Sequence, residues 1–360
     1  MKIGLLTVHC SSNFGASLQA YALKNFLEER GNTVEILNYR FSGFLYAKDY
    51  SENLRLSMNS RLKLLLFREK CNIRYKKFQE FEKECLGINE VELKKIEDGD
   101  YDIFVVGSDQ VWNPSHINFD ETFYFCGVRN KTRISYAASL GKDRFDDTEK
   151  QYLKDAISHM SAISVREPDS IPLLTSLGCS KEINYHVDPV FLLNSSKWRA
   201  LEQNPKTEFR DYILVYVLGK NSIINQTVRS LRNKFKKEIV CIQSDLRNKY
   251  GDHNLYDIGP REFLHLVDNA YMVVTNSFHG VSFSYLFEKK VIILKSEKLN
   301  LRIDNLIKLF SPDCAQLTKV EDIESVINDV EKTLVDHTSQ KEVIKKEIAR
   351  SEKYFTKFSI

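Results

Sequence analysis

Proline and glycine are scarce in this chain, at 7 and 14 residues out of 360. That excludes a collagen-like, linker-rich or low-complexity protein. Long apolar runs are missing too. No stretch approaches the roughly 18 consecutive apolar residues that a membrane-spanning helix needs. Charge of one sign is also lacking, since 52 basic residues against 49 acidic ones leave a net charge of +3. Such a balance makes no strong global field, and no nucleic-acid partner is expected. The seven cysteines (Cys10, Cys71, Cys85, Cys126, Cys179, Cys241, Cys314) contain no Cys-x-x-Cys pair. Their odd number and wide spacing argue against a disulfide framework or a zinc knuckle, and for reduced thiols in a cytoplasm. What the chain does have is 42% hydrophobic and 28% charged residues, the composition of a folded protein. Its length suggests two domains.

The apolar residues come in short runs at 3–8, 33–37, 103–106, 134–137, 162–165, 212–218, 239–242, 272–275 and 291–294. Helical patterns lie between most of them. The first is clear: Leu18, Tyr21, Ala22, Leu23, Phe26 and Leu27 share one face of a helix over 18–30, which Gly31 closes. This alternation predicts an α/β fold with parallel sheets. Residues 1–8 carry too short an apolar core for a signal peptide, and His9 before Cys10 does not suit a lipoprotein cleavage site. They read as a first buried strand. The strands fall into two groups, one up to about residue 187 and one from 212 to 294. The segment Asp188-Pro189-Val190-Phe191-Leu192-Leu193-Asn194 is the expected hinge. The expected domains are therefore 1–190, with a basic helical insertion at about 50–98, and 191–340. A C-terminal helix at 341–360 is expected to pack back on the first domain.

The insertion stands apart. Residues 55–83 hold nine basic side chains and three glutamates, interleaved with Leu62, Leu65, Leu66, Phe67, Ile73, Phe78 and Phe81. One reading is an amphipathic helix with a solvated basic face. The other is peripheral contact with anionic membrane lipid or a phosphate-bearing acceptor.

Four segments place polar residues just after a strand. In Ser11-Ser12-Asn13-Phe14-Gly15-Ala16-Ser17 a loop opens a helix, where free N–H groups and the dipole favour an anion. In Gly107-Ser108-Asp109-Gln110-Val111-Trp112-Asn113, Trp112 could stack on a sugar while its polar neighbours fix hydroxyls. A capped turn with Trp112 in the core is the plain alternative. In Val165-Arg166-Glu167, Arg166 could clamp a carboxylate or phosphate, or be neutralised by Glu167. In Thr275-Asn276-Ser277-Phe278-His279-Gly280, His279 falls at a strand-to-helix turn. Imidazole can give or take a proton near neutral pH.

These segments, with Leu18-Gln19-Ala20-Tyr21-Ala22-Leu23, Ser135-Tyr136-Ala137-Ala138-Ser139-Leu140-Gly141 and Val187-Asp188-Pro189-Val190, resemble the polysaccharide pyruvyl transferase family. The likeness keeps its order over about residues 3–310. It implies two Rossmann-like domains facing a cleft, GT-B-like. It implies transfer of a pyruvyl group from phosphoenolpyruvate to two hydroxyls of a saccharide, in cell-surface polysaccharide biosynthesis. Phosphoenolpyruvate is then a co-substrate, and neither cofactor nor metal is expected. On this resemblance His279 is catalytic, and Arg166, Ser277, Phe278 and Gly280 bind the donor. Many members carry Arg where this chain has Ser277, so Arg302 and then Lys295 are the expected replacement cations. Asn13, Gly15, Ser108, Asp109, Gln110, Trp112 and Asn113 are expected at the acceptor or its loops. The acceptor could be lipid-linked, which goes with a cytoplasmic location and contact at the inner face of the membrane. A GT-B glycosyltransferase using a nucleotide sugar and a non-catalytic saccharide-binding protein remain the alternatives.

Overall fold

The computed structural model describes residues 1–10, 12–39, 58–88, 92–93, 95–114, 121–142, 144–246, 248–295, 301–311, 314–332 and 337–360, without the side chains of 58–67 and 301. The chain forms two compact units. The first comprises Met1–Tyr46, Phe78–Leu193 and Ile344–Ile360, and the second Ala47–Lys77 and Asn194–Val343.

In the first unit, β1 (Lys2–Leu6), β2 (Thr33–Ile36), β3 (Ile103–Val106) and β4 (Thr132–Ser135) make a parallel sheet in the order β2-β1-β3-β4. Two further parallel strands, β5 (Ile163–Val165) and β6 (Ile183–Tyr185), pair with each other. Single bridges join them to Ile134 of β4, through Ala162, and to Ala138 beyond its end, through Val165. All four residues of β3 are buried, as expected of a parallel strand covered on both faces. The first helix runs Phe14–Glu28, starting earlier than its apolar spacing shows. Asn13 sets that start, because its side chain accepts from the backbone N–H of Gly15 and Ala16.

In the second unit, β7 (Ile213–Val217), β8 (Ile239–Gln243), β9 (His253–Leu255), β10 (Met272–Thr275), β11 (Lys290–Leu294) and β12 (Ala315–Leu317) form one parallel sheet. Their order is β12-β11-β10-β7-β8-β9. Counted within the unit this is the Rossmann arrangement, first strand central and the run reversing between β7 and β10. The α/β expectation holds in both units. Strands β6, β9 and β12 were not expected from the sequence. Each is three residues long and mostly half-buried, without the fully buried apolar run that marks the equally short β5.

The insertion needs a correction. Its residues up to Lys77 cluster with the second unit, not the first. On the long helix Met58–Phe81, Arg74 donates to the carbonyls of Tyr256 (3.0 Å) and Gln243 (3.4 Å). Lys77 donates to the carbonyl of Asp257 (2.9 Å) and pairs with Glu262. Burial presses the Arg74 guanidinium below its ordinary value. Two of the basic residues are thus engaged within their own unit. The part at 55–67 lies outside the described side chains.

The C-terminal helix His337–Thr356 passes into the first unit at Ile344. Tyr354 donates to the carbonyl of Ser135 at the end of β4 (2.8 Å). Phe355 packs on Tyr136 and Phe26, with ring centroids 5.0 and 5.8 Å away. No helix among the described residues is long and apolar enough to cross a membrane.

Candidate active site

Ligands of open parallel sheets bind beyond the carboxyl ends of the strands, where the strand order reverses. In the second unit that point lies between β7 and β10. Strand β10 ends at Thr275, opposite Tyr216 of β7. The Thr275 hydroxyl donates to the Tyr216 carbonyl (2.6 Å) and accepts from the Ser277 N–H (3.0 Å). Ser277 is extended and caps the helix Phe278–Leu286, its Oγ accepting from the Gly280 N–H (3.3 Å). His279 is the second residue of that helix. It is 8% exposed, and its ring meets Phe278 edge-on with centroids 5.1 Å apart. Gly280 has a steric reason to be glycine: a Cβ there would come 2.4 Å from the Thr275 Oγ1. Every residue of the helix is buried.

An imidazole is therefore held in the first turn of a helix, where the dipole is positive. That suits an anionic substrate needing a proton. Ser277, expected to touch the donor, is engaged as the helix cap. Phe278 is buried. Lys295 follows β11, whose Ile293 lies opposite Thr275. Its ammonium sits 2.6 Å from Asp304. Arg302 is half-buried near the start of the helix Leu301–Phe310.

In the first unit the strand order reverses between β1 and β3, and both expected loops stand there. Asn13 is exposed, and Gly15 is buried in the first helical turn. Ser108 is fully buried, its hydroxyl donating to Asp188 (3.1 Å). Arg166, only 5% exposed, donates to Asp188 (2.7 Å) and Glu167 (3.1 Å). Glu167 also accepts from the Ser139 hydroxyl (2.7 Å). Burial works against the Arg166 charge, but the carboxylates of Glu167, Asp188 and Asp109 outweigh it and hold the guanidinium above its ordinary value. The expected donor clamp is in this structure the centre of a buried charge network.

Trp112 departs from the sugar-stacking expectation. Its ring is 0% exposed, stacks on Tyr124 at 5.0 Å and donates Nε1–H to the Phe123 carbonyl. A ring enclosed in the core offers no face to a sugar. Asp109 sits in the left-handed region at φ 73°. Gln110 and Asn113 are hydrogen-bonded to each other (2.8 Å), and a Cβ on Gly141 would come 2.4 Å from Gln110 Oε1. Sequence reasoning passed over Asp188 and Ser139 as site residues. The only signal for either was its place in a family motif.

The family model for polysaccharide pyruvyl transferase matches residues 13–297. The chain belongs to the polysaccharide pyruvyl transferase family. The match takes in Asn13 through His279 and Lys295, and leaves Arg302 outside. Membership makes the chain an enzyme, a transferase of polysaccharide biosynthesis. No curated protein matches it. Among solved structures it is similar to the UDP-GlcNAc 2-epimerase of Methanocaldococcus jannaschii, at 12% identity, 93% of each chain covered and a TM-score of 0.54. It is also similar to the UDP-GlcNAc 2-epimerase of Neisseria meningitidis bound to UDP-GlcNAc, at 11% identity, covering 99% of this chain and 100% of that one, with a TM-score of 0.53. A third is UGT89C1 of Arabidopsis thaliana complexed with UDP-L-rhamnose, at 10% identity, 97% and 94% coverage and a TM-score of 0.50. At such identities the likeness shows the GT-B-like fold alone.

Proposed function

We propose that this polysaccharide pyruvyl transferase moves the pyruvyl group of phosphoenolpyruvate onto two hydroxyls of a saccharide, with His279 as the acid–base residue. The observation that supports it is the place of His279, in the first helical turn at the point where the Rossmann-ordered sheet reverses. Phosphoenolpyruvate carries a carboxylate and a phosphate. The helix N-terminus can take one, and Lys295 and Arg302, carried by the segment that follows the neighbouring strand, are the cations for the other. C2 of the enol phosphate is unreactive until C3 gains a proton. His279 gives that proton, the first hydroxyl adds to C2, and its proton passes to the phosphate. The second hydroxyl then attacks C2 as the C2–O bond to phosphate breaks, and the phosphate leaves with the bonding pair. Neutral His279 accepts the second hydroxyl's proton. The products are a ketal and inorganic phosphate.

Phosphate release from phosphoenolpyruvate and a saccharide acceptor tests this. His279→Ala is expected to lose at least about 100-fold in kcat while folding normally, the scale of a general acid. A fully active variant sinks the assignment. The fold likeness favours a second reading, a glycosyltransferase with a nucleotide-sugar donor. Thermal stabilisation by phosphoenolpyruvate but not by UDP supports the first reading, and the reverse supports the second.

A further inference from the structure

The residue three places before His279 has a role that neither the charge nor the acid–base chemistry of the site requires. The parallel ladder between β7 and β10 ends at the pair Tyr216 and Thr275. Beyond it β10 has ended, while β7 runs on to Val217, opposite Gln243 of β8. Asn276 stands at that fork. Its Oδ1 accepts from the backbone N–H of Leu218 (2.7 Å), and its Nδ2 donates to the carbonyl of the same residue (2.9 Å). One side chain thus takes both backbone groups of one residue and extends the ladder past the last true pair. An amide does this with two separate atoms, an accepting oxygen and a donating nitrogen.

The far side of the fork leaves β7 for solvent. Leu218 is 42% exposed, and Gly219 after it is left-handed at φ 68° with nothing near the position of a Cβ. The end of β7 itself is fixed from the β8 side, since Val217 is buried opposite Gln243, Ser244 donates to the Val217 carbonyl (2.8 Å) and Asn248 to that of Gly219 (3.2 Å). On the near side Asn276 is joined directly to Ser277, the cap of the helix that carries His279.

We propose that Asn276 is a positioning residue for His279, fixing the height of the strand-to-helix turn against the end of β7. The proposal rests on the acid–base reading of His279. Losing both hydrogen bonds frees the turn to shift by a fraction of an ångström. A misplacement of about 1 Å can cost about 100-fold in a reaction that depends on orientation.

The test is a double-mutant cycle on phosphate release. Asn276→Ala is expected to lower kcat about 10- to 100-fold with little change in KM for phosphoenolpyruvate. In the His279→Ala background the same change is expected to cost almost nothing further. An equal loss in both backgrounds, or wild-type kcat in Asn276→Ala, overturns the proposal. A second readout needs no turnover. The His279 imidazole NMR signal, identified by its loss in His279→Ala, is expected to shift or broaden in Asn276→Ala. An unchanged signal overturns the positioning role, whatever becomes of the phosphoenolpyruvate reading. Failure of the wild-type protein to release phosphate, with the signal shifted, overturns that reading and leaves the positioning of His279 supported.

Discussion

Two of the expected site residues stand in opposite environments. His279 stands just past the end of a central strand, in the first turn of a helix, at the positive end of its dipole. Arg166 also follows a strand, but two carboxylates enclose it. Removing one partner of such a buried group leaves the others charged and unpaired, which costs about 3–5 kcal/mol. Arg166→Ala is therefore expected to destabilise the protein strongly, seen as a lower denaturation midpoint. A variant that keeps the wild-type midpoint and only weakens phosphoenolpyruvate binding would restore Arg166 to the donor site. Both residues were legible in the sequence as polar groups after apolar runs. Glu167 was legible as a partner of Arg166, and Asp188 was not. Asp188 lies beyond β6, and only the β5–β6 pairing brings it to Arg166.

Among the elements, the β5–β6 pair shows how burial couples to pH. His186 follows β6, and its Nδ1 lies 2.7 Å from the Ser164 hydroxyl of β5. Its ring lies against those of Tyr136 and Tyr354. Burial, and next the charge of Arg350, push its pKa down from 6.5 to about 3. The folded state thus prefers neutral His186. Its contribution to stability is whole above pH 6.5 and is lost as pH falls toward 3. The expected slope below pH 6.5 approaches 1.4 kcal/mol per pH unit, about one proton's worth. Glu202 in the second unit works in the opposite sense. Burial and Asp268 raise it from 4.5 to about 7, so its contribution fades as pH rises through that window. Comparing wild type with His186→Asn cancels the Glu202 part. Urea denaturation between pH 6.5 and 5 is expected to show the steeper loss in the wild type, and identical slopes would refute the assignment.

At the scale of the whole molecule, the chain closes its first unit with its own last residues. Phe355 is fully buried between rings from Phe26 and Tyr136. Phe355→Ala is expected to cost about 3–5 kcal/mol, read as a lowered calorimetric transition. A variant with an unchanged transition would mean that the C-terminal helix adds nothing to the fold. The sequence alone determined the α/β alternation, the segments that end in polar turns and the family motifs. These are local properties, set by which faces of an element are apolar and which residues suit a turn. Tertiary structure alone decided that Trp112 belongs to the core, that Arg166 belongs to a charge network, and that the helix up to Lys77 belongs to the second unit. It also set the short strands β6, β9 and β12, whose pairing comes from neighbours and not from their own three residues. Each of these outcomes depends on groups far apart in the chain meeting in space, which no local pattern records. The same holds for the balance of charge. A net +3 shows no preference of sign, and the charges that matter are set apart only by what the fold places beside them.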